Sequence, residues 1–174
     1  IKVTIDEYLE IPDDGNKYDM IGGVLHLSPS GFFEHGEREI AIGTIFKTFF
    51  KNNKIKGKIA TEVDIFLPDG GDVLRPDLSV ILEDNYPIIK RHIHGAPDLV
   101  CEILSESTEK RDLGEKADRY LTNGIKEYWI INPKNLTIQV WKNRECKRWE
   151  KSDGNLLESE IIPGFRVDST EVFE

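Results

Sequence analysis

The chain has 174 residues and a mass of 19.9 kDa, 39% of them hydrophobic and 32% charged, which sets one domain with a real core as the expectation. Lys and Arg total 23 against 32 Asp and Glu, a net charge of -9, and that balance argues against a coat protein that holds nucleic acid by neutralising phosphates. Aliphatic and aromatic clusters recur from end to end and exclude a disordered chain. The two cysteines, Cys101 and Cys146, make no disulfide framework and lack metal-ligand spacing. No apolar run approaches the roughly 20 residues of a membrane span. The opening IKVTIDEYLE lacks a signal peptide's basic-then-apolar order. The expectation is a cytoplasmic protein with no membrane partner and with Cys101 as a buried, reduced thiol.

In chain order, Thr4-Ile5-Asp6-Glu7 reads as a capping box opening a short helix that Pro12 and Gly15 close. Tyr18–Ile21, Gly22-Gly23 and Val24–Leu27 form a hairpin signal, followed by a loop at Pro29-Ser30-Gly31. From about Glu34 to Asn52 the apolar residues Ile42, Ile45, Phe46, Phe49 and Phe50 recur at helical spacing. Ile59–Leu67 reads as one strand, Asp69-Gly70-Gly71 as a turn, and Leu78–Leu82 as a strand. Residues 84–97 read as a loop with Pro87 and Pro97. Leu99–Leu104 is apolar on both faces apart from Glu102, as a central strand should be. A helix capped by Asp112 and Glu115 runs to Asn123, where Gly124 ends it. Tyr128–Ile131, Ile138–Trp141 and Cys146–Glu150 complete a meander. The fold class is α/β: a mixed central sheet flanked by helices, with an N-terminal hairpin and a single domain over residues 1–174.

Acid inside apolar strands is the informative signal. Glu102 alternates with Val100 and Leu104 and shares their face, and Asp77, directly after Pro76, shares a face with Ser79 and Ile81. A lone buried carboxylate is costly by several kcal/mol unless it is paired, protonated or metal-bound. Two such acids on strands that can neighbour each other suit a hard divalent cation, because Mg²⁺ takes one or two carboxylates and keeps water and phosphate oxygens elsewhere. The structural alternative stands beside it: Asp77 capping a turn, and Glu102 paired with Arg75 or Lys116. Asp112, Lys116 and Tyr120 are four apart and share a helix face just beyond the Glu102 strand. Lys116 is therefore placed either to reach a group bound by Glu102 or to pair with Asp112 in solvent. His35 opens the long helix, at a site or at an exposed helix start. His92 and His94 lack a third ligand with zinc spacing, and no GxSxG, CxxC, HExxH or phosphate-binding GxxxxGK[ST] is present.

Read together, Tyr18-Asp19-Met20-Ile21-Gly22-Gly23, Ser28-Pro29 with His35, Arg75-Pro76-Asp77-Leu78 and Ala96–Ser105 follow one another in a specific order. Ser107-Thr108, Arg111–Lys116, Tyr120, Gly124-Ile125, Glu127-Tyr128-Trp129 and Asn132-Pro133 continue it. This pattern resembles the Uma2 family of putative restriction endonucleases, found in cyanobacteria and other bacteria, over about nine-tenths of the chain. The resemblance implies the PD-(D/E)XK nuclease fold, with Pro76-Asp77 as the PD element and Glu102 as the second acid. It implies Mg²⁺, with Mn²⁺ as substitute, held by Asp77, Glu102 and the main-chain carbonyl of Ile103, and Lys116 as the catalytic lysine. His35, Asp98 and Asp112 are possible accessories. Two departures stand out: Leu104 occupies the usual lysine position two residues after Glu102, and Gly22 stands where the family's first hairpin usually carries Asp.

The expected function is metal-dependent cleavage of DNA phosphodiesters, with DNA bound transiently. The alternatives are a catalytically inactive scaffold or regulatory module, and a nuclease acting on RNA or small phosphodiesters. A homodimer is the simplest way to cut both strands of a duplex. The acidic charge sits at the ends: residues 1–20 carry -4, residues 153–174 carry -5, and residues 21–152 balance 20 bases with 20 acids. Within that neutral body Lys47, Lys51, Lys54, Lys56 and Lys58 run with no intervening acid, a basic strip that suits a brief encounter with DNA.

Overall fold

A computed structural model describes residues 2–145 and 147–174. The reading of Cys146 as a strand start lies outside those residues. Helix α1 (Ile5–Leu9) begins at the Thr4–Glu7 capping box, with both reciprocal hydrogen bonds formed. Strands β1 (Lys17–Ile21) and β2 (Val24–Ser28) form the hairpin. Gly22 (φ 58°) and Gly23 (φ 81°) take its tight turn, a left-handed pair that only glycine adopts freely. Helix α2 (Phe33–Asn53) buries Ile42, Phe46 and Phe50 along one stripe.

The single strand expected at 59–67 is two. β3 (Gly57–Thr61) stops at Glu62, whose φ of 51° turns the chain out of one sheet, and β4 (Ile65–Phe66) joins another. A non-glycine residue at positive φ leaves no mark on hydrophobic alternation. β5 (Val73–Leu74) and β6 (Leu78–Leu82) follow, and the expected loop over 84–97 contains a 3₁₀ turn (Glu83–Ile88) and β7 (Ile93–His94). β8 (Leu99–Ile103) leads to an almost continuous helix. It comprises α3 (Glu109–Arg111), a π turn (Asp112–Lys116) and α4 (Ala117–Thr122). β9 (Glu127–Asn132), β10 (Thr137–Arg144) and β11 (Arg148–Gly154) form the meander. The chain then adds β12 (Leu156–Glu158), β13 (Arg166–Asp168) and α5 (Ser169–Phe173), three elements beyond the expected meander.

The main sheet runs β11-β10-β9-β8-β6-β3 and is mixed, since β8 and β9 are parallel while the other neighbours are antiparallel. The α3–α4 crossover is what a parallel pair requires. A second sheet runs β2-β1-β5-β4-β7. Strand alternation sorts the main sheet's side chains into two cores. Leu99, Cys101 and Ile103 face α2 and α5, where the Phe46 and Phe165 rings stack 4.4 Å apart; Val100, Tyr120 and Tyr128 join Ile65 and Leu74 on the other side. Truncating a ring such as Phe46 would remove about 3–5 kcal/mol. Cys101 is a buried free thiol. Among the described residues no helix is long and apolar enough to cross a membrane.

Candidate active site

β6 and β8 pair in a register that sets Leu78 against Cys101, Ser79 against Val100 and Val80 against Leu99. Extending the ladder by one step sets Asp77 opposite Glu102, so the two acids point to the same face of the sheet. Both are buried, at 2% exposure each. Asp77 Oδ2 accepts the Ile103 amide (2.7 Å), which ties the acid to the end of β8. Its other oxygen takes Lys17 Nζ at 2.6 Å and His35 Nε2 at 3.2 Å. Burial alone would raise the Asp77 carboxyl, but His35 and Lys17 hold it well below the usual carboxylate range. The Asp77 hydrogen bond in turn raises His35.

Glu102 faces the crossover helix. Its Oε1 accepts from Lys116 Nζ and from the Tyr120 hydroxyl (3.0 Å). Lys116 is 1% exposed. Burial would strip its proton, but Asp19 (3.4 Å), Glu102 and Asp112 (3.5 Å) surround it and hold its pKa well above the ordinary value. The same burial pushes the Glu102 carboxyl up, against the pull of Lys116. The π turn brings Asp112 and Lys116 inward together, and Tyr128 anchors it by donating to the Asp112 carbonyl at 2.9 Å. Such wide turns recur at functional sites.

These groups open onto a cavity of about 550 Å³ whose floor includes Asp77, Glu102, Lys116 and Lys17. Its walls are the hydroxyl-bearing loops 28–31 and 105–108. Of the expected residues, the structure brings together Asp77, Glu102, Lys116, His35 and Asp112. Asp98 is elsewhere. It precedes β8 while Glu102 is near the strand's end, about 13 Å further along at 3.3 Å per residue. There it accepts from the Leu82 amide (2.8 Å) and pairs with Lys126 (2.8 Å). Arg75 pairs with Asp64 (2.6 Å) and not with Glu102.

A family model described as Uma2, putative restriction endonuclease, matches residues 5–170. The chain belongs to the Uma2 family. Its fold matches the crystal structure of a putative nuclease of DUF820 from Anabaena variabilis ATCC 29413 with a TM-score of 0.82 and 20% identity, over 98% of this chain and 97% of that one. This is the restriction-endonuclease-like mixed α/β fold. Among curated proteins none matches.

Two members of this cluster did not stand out in the sequence as site residues. Lys17 stands at the first position of a hairpin strand, where lysine normally meets water. Asp19 belongs to the family's first motif, yet nothing local tells that it is fully buried. It accepts the Arg75 amide (2.8 Å) and lies 3.5 Å from Arg111 Nε. The two-residue alternation of 17 and 19 on β1 was the available signal.

The donor set suits one metal class only. Among the described residues no group of three or more His, Cys, Asp or Glu is placed to hold a metal ion in a closed zinc-type cage, and the three acids that do converge, Asp19, Glu102 and Asp112, converge on the Lys116 ammonium. Asp77 and Glu102 do supply what Mg²⁺ takes from protein, one or two carboxylates beside open space for water and phosphate oxygens. The Lys116 and Tyr120 bonds to Glu102 both fall on its Oε1. Lys17 and His35 cover the Asp77 oxygen on the cavity side.

The lysine strip is not part of this cavity. Lys47 and Lys51 lie 12 and 16 residues beyond His35 along α2, about 18 and 24 Å at 1.5 Å per residue. Lys56 pairs with Glu83 (2.8 Å), and Lys58 lies over the Tyr86 ring beside the far end of β6. The exposed charges lining the cavity are Glu34, Glu62 and Glu106 against Lys134.

Proposed function

We propose that the protein is a divalent-metal-dependent endonuclease, a hydrolase of DNA phosphodiester bonds, with Mg²⁺ as cofactor and Mn²⁺ as its substitute. One observation carries the reading: two buried carboxylates opposite each other in register, with a buried lysine on the second, at the floor of an open cavity. Asp77 and Glu102 would hold the cation, with the Ile103 carbonyl as the family resemblance implies. Such an ion, when bound, polarises a phosphate oxygen and makes a bound water a better nucleophile.

The protein's own groups supply the rest. Lys116, kept charged by three acids, presents an ammonium that orients the attacking water and offsets charge building on the phosphate. Asp19 and Asp112 keep that ammonium in place, and the Tyr120 hydroxyl fixes the Glu102 carboxylate from the other side. The Ile103 amide fixes Asp77 in the same way. Lys17 rests on Asp77 and reaches the cavity from the hairpin, so a long side chain is ready to leave that carboxylate for an incoming phosphate.

A scaffold without catalysis is the second reading, and it is favoured by the cations already present: Lys17 and His35 on Asp77, Lys116 on Glu102. Isothermal titration with Mg²⁺ and Mn²⁺ chooses between the two readings. For a nuclease, wild type binds one ion per site, Asp77→Ala abolishes that binding, and supercoiled DNA is nicked only with the metal present. Absence of both the titratable site and nicking would establish the scaffold.

A further inference from the structure

Two aromatic residues at the start of α2 have no structural employment. Phe32 and Phe33 are 85% and 82% exposed, and Phe32 lines the same cavity as Asp77 and Glu102. Phe32 is also the N-cap of α2 and makes no side-chain cap bond. Ser, Thr, Asp or Asn at that position would cap the helix and stabilise it. The sequence therefore places an unshielded ring where local stability asks for a small polar residue, the kind of broken local rule that marks a functional position. His35 is one turn further along, with its amide bonded to the Phe32 carbonyl (3.0 Å) and its ring on Asp77. The aromatic pair and the acid pair are thus linked through one turn of helix.

The charges narrow the occupant. A protein that grips duplex DNA does so through phosphates, and its affinity follows the number of Lys and Arg it lays along the backbone. Here the exposed rim has three acids to one base, and the lysine strip is at the far end of α2. Stacking is the remaining source of affinity, and it needs bases with exposed faces, which paired bases inside a helix do not offer. The exposed hydroxyl-bearing residues Ser30 and Ser107 on the same cavity lining suit contacts to sugar and phosphate that carry no sequence information.

We infer that the substrate is DNA with unpaired bases, a single strand or a frayed end, held by stacking on Phe32 and Phe33 while its phosphate enters the cavity. The inference rests on the proposed nuclease reading and deepens it. It requires no second copy of the chain, since one strand needs one site.

The test is binding, measured in EDTA so that cleavage does not intervene. The probes are a fluorescent oligodeoxynucleotide of mixed sequence, its blunt duplex and the RNA of the same sequence. Single-stranded DNA should bind at least about tenfold more tightly than the duplex, with a shallow salt dependence. The double variant Phe32→Ala/Phe33→Ala should lose about tenfold or more of that affinity. Phe32→Leu/Phe33→Leu, which keeps the apolar surface without the ring faces, should not restore it. Both positions are exposed, so circular dichroism should be unchanged in each variant. Equal or tighter duplex binding, preference for the RNA, or a loss of less than twofold in the alanine variant overturns the inference. So does a change from dimer to monomer in that variant with single-strand binding intact, which would assign the rings to a contact between copies. Metal-dependent cleavage with no dependence on the rings sinks this inference alone, whereas absence of metal binding and cleavage with ring-dependent strand binding sinks the catalytic reading alone.

Discussion

The main sheet buries two kinds of carboxylate, and their partners separate them. Glu127, at the start of β9, is 1% exposed and accepts from the Trp129 indole (2.9 Å) and the Glu160 amide (2.7 Å). Asp98, before β8, accepts the Leu82 amide and binds Asn85 as well as Lys126. These donors belong largely to the frame. Asp77 and Glu102 are as deeply buried, but their cavity-side partners are side-chain cations, Lys17 on β1, His35 on α2 and Lys116 on the π turn. An acid held by the backbone fixes the fold. An acid held by side-chain cations beside a cavity can exchange one positive partner for another, and depth of burial alone does not tell the two kinds apart.

The contrast is tested most strongly by Glu102→Gln. Gln keeps the shape and the bond to Tyr120 while removing the charge. Cleavage with Mg²⁺ should fall about a thousandfold, with the melting midpoint within about 3 °C of wild type. A large drop in stability with activity retained would move Glu102 into the structural class. Glu127→Ala should do the reverse: it leaves the buried Trp129 indole N–H and the part-buried Glu160 amide without their acceptor and should remove about 2–3 kcal/mol in urea denaturation, with divalent-ion affinity unchanged.

The smallest effect belongs to the surface. Glu160, bonded by Arg144 at 2.8 Å, has its carboxyl held at about 2. A carboxyl lowered on folding adds stability above its ordinary pKa and loses it as the pH falls toward the folded value. Its side chain is 51% exposed, so solvent screens most of the gain. Glu160→Gln should therefore lower the melting midpoint by about 1 °C at neutral pH, a difference that closes between about pH 4.5 and 2.

Much of the frame was legible because helices and strands announce themselves by period, and Asp77, Glu102 and Lys116 stood out as charges in apolar company or on a shared helix face. Distance along the strand separated Asp98 from Glu102, and only the direction of β8 reveals it: four residues of the same strand reach opposite ends of the sheet. Lys17 and Asp19 were hidden because a hairpin looks solvated until β1 joins β5 in the second sheet and Asp19 meets Arg111 and Lys116. The lysine strip was legible as a basic run, but its distance from the cavity follows from the 21-residue helix that carries it away from His35.

The π turn at Asp112–Lys116 makes the crossover helix a splice of two helical phases. Everything before it, including Arg111 and the 105–108 loop, is out of step with α4 by one residue, about 100° of rotation. The cavity wall and the lysine are thereby aimed independently: the residues ahead of the splice can vary with the substrate while Tyr120 and Lys116 keep their hold on Glu102. Gly114, where an added side chain would meet open space, is the residue whose excision would bring the two phases back into one and turn the wall away from the site.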